Sequence, residues 1–251
     1  MNFLWYNSRK GYTVTDQEII KKVNSALKDI GNFFDQANVI PNSYKRLAEQ
    51  SGTTDEFFYR NLWLNDKNHK YKPNQNMFSF NADDIDKYKI PSYVVGCSGR
   101  ANLFVKYATE GENALNPADI RIIPCVQISS IGQKPMHGHQ IIAVKTSRGW
   151  QLINENRRDF NNAKINTGNK NIQDINSMIG QDIDALNHGK PEFKIAAVLT
   201  PEEHLQINSS EKLQNIYAMK AYKFKSAAEE IKKQETTQFQ NINFTNQHRN
   251  Y

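Results

Sequence analysis

Cysteine is scarce in this chain, with only Cys97 and Cys125 among 251 residues. That count rules out a disulfide scaffold, so the fold must rest on a packed core, with a single Cys97–Cys125 bridge as the only pairing open. No apolar run approaches the roughly 18 residues that a membrane-spanning helix needs, so no membrane span is expected. The start, Met1-Asn2-Phe3-Leu4-Trp5-Tyr6, lacks a basic stretch followed by an apolar stretch of about 7–15 residues, the pattern of a signal peptide. Residence in a cytoplasm, or export by a route that uses no cleaved signal, is therefore expected. Signatures of the usual nucleic-acid modules are missing too. The net charge of +6 permits an acidic partner, but the lysines are spread widely. The mild cluster at Lys220, Lys223, Lys225, Lys232 and Lys233 reads as a solvated helix face, so no nucleic-acid partner is expected.

What is present is a soluble-type composition, 38% hydrophobic, long enough for one full domain with appendages or two small ones. Thr15-Asp16-Gln17-Glu18 reads as a capping box. Ile19, Ile20, Val23, Leu27, Ile30 and Phe34 then recur at helical spacing. Pro41-Asn42-Ser43 opens a second helix through Leu47, and a third spans Glu56 to Leu64. From Tyr93 the pattern changes, with Tyr93-Val94-Val95 as a short apolar approach to Gly96-Cys97 and a buried helix after it. Strands are expected at Ile120–Ile128, His139–Lys145, Trp150–Asn154 and Phe193–Leu199. Thr200-Pro201-Glu202-Glu203 reads as another capping box, and Leu213, Tyr217, Ala221, Phe224, Ala228 and Ile231 lie on one stripe of a long helix from about Glu211. These elements divide the chain into a helical portion over 1–90, a catalytic core over 91–200, C-terminal helices over 201–234 and a polar, weakly ordered tail over 235–251.

Three segments carry chemistry: Gly96-Cys97-Ser98-Gly99, His137-Gly138-His139 and Gly149-Trp150-Gln151-Leu152-Ile153-Asn154. They supply a thiol at a helix start, an imidazole at a strand start and an amide to orient it, the three roles of thiol-based acyl transfer. A helix N-terminus and a nearby imidazole can lower a Cys pKa from roughly 8.5 to about 3.5–7.5, and the Cys97 amide is a natural oxyanion donor. A hairpin through Thr146-Ser147-Arg148-Gly149 with Lys145 opposite Trp150 makes Asn154 the diagonal same-face neighbour of His139. A register shifted by two makes the pair directly opposite. A cysteine at a turn is by itself usually structural, and the histidine and Gly-Trp elements downstream are what move the reading to catalysis. His137 rivals His139 but precedes Gly138 and belongs to the loop; Asn156 rivals Asn154. Asp159 reads as a loop carboxylate, Trp150 as core packing and Cys125 as an inert buried thiol. His137, His139 and Cys97 could hold zinc, but His69, His188, His204 and His248 are scattered elsewhere, and no metal is expected.

Over residues 93–156 the arrangement resembles the transglutaminase-like superfamily within the papain-like cysteine enzymes. Asp119-Ile120-Arg121-Ile122-Ile123-Pro124 is similar to the strand that follows the nucleophile helix in that family. His139-Gln140-Ile141-Ile142-Ala143-Val144 and Gly149-Trp150-Gln151-Leu152-Ile153-Asn154 are similar to its last two elements. The resemblance implies an α+β papain-like, transglutaminase-like core in which a nucleophile helix packs on an antiparallel sheet, with further N- and C-terminal helices. It implies Cys97 as nucleophile, His139 as base and Asn154 as orienting residue, asparagine standing where transglutaminases more often have aspartate. Animal transglutaminases also place a Trp upstream as an oxyanion donor; Trp63 lies at a comparable distance, in a stretch that otherwise does not match. The expected function is cysteine-dependent acyl transfer on amide bonds of a protein or peptide substrate through a thioester. Release to water makes a peptidase or glutamine deamidase, and release to a lysine amine makes a transglutaminase. No cofactor is required. The alternatives are a non-catalytic protein-binding module on the same fold and an acyltransferase that uses a coenzyme A thioester.

Overall fold

The computed structural model describes residues 16–53, 56–67, 71, 80–111, 114–131, 133, 136–154, 172–207 and 211–217. Thr15, Asn156, Asp159, the lysine cluster, the long helix beyond 217 and the tail over 235–251 lie outside those residues.

The protein is α+β. Helices α1 (Asp16–Ala37), α2 (Asn42–Ser51), α3 (Glu56–Asn65), α4 (Ala82–Tyr88) and α5 (Ser92–Thr109) precede a sheet of β1 (Ile120–Gln127), β2 (Gly138–Thr146), β3 (Gly149–Ile153), β4 (Asp182–Ile183) and β5 (Phe193–Ile195), with α6 (Pro201–Leu205) after it. A helical stretch over 211–217 follows. The sheet order is β3-β2-β1-β5-β4, and every pairing is antiparallel.

Hydrophobic periodicity explains most of these elements. α1 buries Val23, Ala26, Leu27, Ile30, Phe33, Phe34 and Ala37, the three- and four-residue steps of one helical face. This face enters a single core with α5 and with Ile120, Ile122, Ile142, Val144 and Ile153 from one side of the sheet. The alternate residues Ile123, Cys125, Ile141, Ala143, Trp150 and Leu152 pack on the other side with Ile183, Phe193 and Ile195. Trp150 is thus core, with the Arg121 guanidinium 5.1 Å from its ring centroid. Asp16 caps a turn other than its own: its carboxylate accepts from the Ser147 amide at 2.7 Å and the Ser147 hydroxyl at 2.6 Å, tying the start of α1 to the β2–β3 hairpin.

Three departures from the expected elements have local causes. The residues before Gly96 are not an extended approach but a first helical turn; Gly96 (φ 63, ψ −170) breaks α5 there, so that a second limb starts at Cys97. The expected strand Phe193–Leu199 stops at Ile195 and resumes a bridge to β1 at Leu199 and Ile122. Pro124 explains the gap. It has no N–H to offer β5, and the amides of Ala196 and Ala197 both turn to its carbonyl, at 2.9 and 3.4 Å, which makes a bulge. The short elements α4 and β4 lack a readable pattern, because α4 buries only Ile85 and β4 is two residues long. The Thr200 capping box forms as expected: Glu203 N–H donates to Thr200 Oγ1 at 3.2 Å, and Thr200 N–H to Glu203 Oε2 at 2.8 Å.

Candidate active site

The hairpin register pairs Lys145 with Trp150 and Ile142 with Ile153, so Asn154 is the diagonal rather than the direct neighbour of His139. Asn154 Nδ2 donates to the Ala185 carbonyl at 3.0 Å. That bond fixes the amide and leaves its oxygen for the imidazole, with which Asn154 is hydrogen-bonded. The His139 ring leans on Phe193 with centroids 5.9 Å apart. Its Nε2 is buried and has no hydrogen-bond partner among the described residues. Burial pushes the imidazole down to about 4, the Asn154 hydrogen bond works against that, and the Arg100 charge adds to the lowering. The ring is therefore neutral near pH 7, held at one nitrogen, with a lone pair at the other. His137 lies exposed in the loop before β2, its backbone amide donating to Ser130 Oγ at 3.0 Å.

Cys97 is partly exposed at the start of the second limb of α5, and α5 packs against β2. Cys125 is fully buried, and neither cysteine is in a disulfide, so the Cys97–Cys125 bridge left open by composition does not form. Tyr217 locates the thiol relative to the sheet. A Cβ on Gly138 would collide with the Tyr217 hydroxyl and the Cys125 carbonyl, so only glycine fits beside His139. Burial raises the Tyr217 phenol well above its ordinary value, and the charges of Cys97 and then Cys125 add to the rise. Cys97 and Gly138 thus share Tyr217 as a neighbour, while His139, the next residue of β2, turns its ring to the other face of the sheet with Phe193.

Two features of the site go beyond what the sequence pattern shows. His204, one of the histidines that look scattered, is wholly buried against α5. Its Nδ1 lies 2.9 Å from Asn102 Oδ1, and its Nε2 lies 2.7 Å from the Gln140 amide and 3.3 Å from Ser98 Oγ. Asn102 Nδ2 in turn donates to the Phe80 carbonyl at 2.8 Å. Burial pushes this imidazole down to about 4 as well. The cluster therefore fastens α6, α5 and β2 together one residue from Cys97. The second feature is Arg60 on α3, whose guanidinium comes within 3.8 Å of where a Gly96 Cβ would stand. Burial lowers its pKa, and the Cys97 charge works in the opposite direction. The readable signal is a lone cation in the run Phe57-Phe58-Tyr59-Arg60-Asn61-Leu62-Trp63-Leu64. Trp63, one turn further on, is buried in the core edge-on to Phe80, with centroids 6.4 Å apart.

Among the described residues no three His, Cys, Asp or Glu side chains are grouped to hold a metal ion, and no helix is long and apolar enough to cross a membrane. No protein-family model, curated protein or solved structure matches this chain.

Proposed function

We propose that the protein is a cysteine-dependent acyl-transfer enzyme with a papain-like, transglutaminase-like core, acting on amide groups of a protein or peptide. The observation that carries this reading is His139: an imidazole held by Asn154, neutral through burial, with its second nitrogen buried and without a partner among the described residues. A buried polar nitrogen without a partner is costly, and such groups concentrate where a lone pair is used.

In this reading His139 takes the proton of the Cys97 thiol, and the thiolate attacks the amide carbon. The Cys97 backbone N–H, at the start of a helical limb, donates to the developing oxyanion. The C–N bond breaks as the imidazolium returns its proton to the leaving amine or ammonia, and a thioester remains. Water with His139 as base then gives the acid, while a lysine amine gives a new amide. Asn154 holds the ring throughout and supplies no charge.

The test is mass spectrometry of lysate proteins incubated with the wild-type chain and with Cys97→Ala. A Cys97-dependent mass gain of about one dalton at glutamine marks deamidation, glutamine–lysine cross-links mark transamidation, and new N-termini mark proteolysis. A substrate set unchanged by all three measures, or changed equally by Cys97→Ala, overturns the reading.

A further inference from the structure

We propose that Arg60 is the charge partner of the Cys97 thiolate, a positioning residue that the N-terminal helices supply to the nucleophile turn. This rests on the reading of Cys97 as nucleophile and adds to it the group that sets its ionisation.

Arg60 is half-buried on α3, which packs against α5. A guanidinium taken out of water normally spends its five donors on carboxylates or carbonyls, because an unpaired buried cation is expensive. Arg60 makes no ion pair and no hydrogen bond among the described residues, and Cys97 is the ionisable group that acts to raise its pKa against the effect of burial. Its placement is set by backbone geometry. Gly96 turns through a positive φ and shows a bare Cα side to the guanidinium, with Nη1 3.8 Å from the missing Cβ. The turn that starts the second limb of α5 is therefore the turn on which Arg60 rests.

The titratable groups on the neighbouring elements, among the described residues, bring no negative charge of their own. Arg100, from α5 itself, lies over the Phe34 ring at 5.3 Å. His204 from α6 and His139 from β2 are held neutral by burial. Tyr217, from the stretch over 211–217, and Tyr93, from the first turn of α5, have phenols raised by burial and stay protonated. Cys125 on β1 is buried against the Ile123 carbonyl, 3.5 Å away. With the Arg60 guanidinium on the Gly96 turn and the thiol at a helix start, the sulfur is the atom whose negative charge this surrounding favours.

The test is the pH dependence of iodoacetamide alkylation at Cys97, followed on the Cys97 peptide by mass spectrometry in the full chain. The wild-type midpoint is expected below the roughly 8.5 of an ordinary thiol. Arg60→Gln should raise it by about one pH unit, lowering the thiolate fraction about tenfold at a pH below the midpoint. Arg60→Lys should keep most of the shift, because the charge remains. Coincident wild-type and Arg60→Gln profiles overturn the proposal, as does an Arg60→Lys profile displaced as far as that of Arg60→Gln. Should Arg60→Gln fail to fold, Arg60→Met takes its place, with the same displacement expected and a profile coincident with the wild type overturning the proposal. The two readings fail separately. An Arg60-dependent thiol without amide chemistry sinks acyl transfer alone, and Cys97-dependent amide chemistry with an unmoved profile sinks Arg60 alone.

Discussion

His139 and His204 are both buried and both driven down to about 4, yet they are built for opposite ends. Around His204 every ring nitrogen has a partner: Asn102 at one, Gln140 and Ser98 at the other. Around His139 one nitrogen is held by Asn154 and the other is enclosed without a partner among the described residues. A satisfied imidazole joins elements of the fold, whereas one with a spare lone pair can accept a proton. Burial and depressed pKa, which the two share, do not distinguish structure from function here. Saturation of the ring does.

Substitution gives the sharpest break in this comparison. His139→Ala should lower Cys97-dependent turnover by about 10² to 10⁴, the usual range for a lost general base, with the fold intact by circular dichroism. His204→Ala should act mainly on stability, by about 3 kcal/mol in denaturant unfolding, because it strands three buried polar partners. Equal effects of the two on turnover, measured where both variants are folded, would erase the distinction drawn between them.

The histidines should behave alike when only their protonation is read. Each is neutral in the folded chain down to about pH 4 and takes a proton near 6.5 when unfolded. The unfolded state therefore binds more protons between those values. Stability is complete above about 6.5 and falls by about 1.4 kcal/mol per pH unit for each imidazole as pH drops towards 4. Asp16 and Asp86, held below the ordinary 3.8 mainly by hydrogen bonds to Ser147 and Lys89, act only at lower pH. Denaturant unfolding at a series of pH values should give this slope, and His204→Gln should remove about half of it. A flat profile in the wild type would mean that both rings are charged in the fold, and half the slope that one of them is.

Asn154 offers the smallest and most local test. Asn154→Ala frees the imidazole to rotate and should cost roughly tenfold in turnover. Asn154→Asp should retain more activity and raise the pH at which His139 loses its proton, since a carboxylate favours the imidazolium. An alanine variant with full activity would remove the orienting role from this residue.

Elements governed by local pattern are legible in the amino-acid sequence. The face of α1, the capping box at Thr200, the position of β2 and the diagonal placement of Asn154 all follow from spacing, because helical and strand periods fix which side chains share a face. The bulge after Ile195 is less visible, since it depends on which neighbour the missing N–H of Pro124 would have faced. Arg60 is readable only as an odd cation in an apolar run, and His204 only as one histidine among several.

By itself the sequence determined the order of the longer helices and strands, the start of a helix at Cys97, and the placing of an imidazole and an amide on one face of adjoining strands. Those features depend on residues within a few positions of one another or across one short hairpin. The tertiary structure alone decided that Arg60 rests on the Gly96 turn, that Tyr217 spans Gly138 and Cys97, and that His204 comes within 3.3 Å of Ser98 across 106 residues of chain. Periodicity states which face of an element is buried, but the partner that buries it is chosen by the packing of the whole core, where shape and the need to satisfy every enclosed polar group act together.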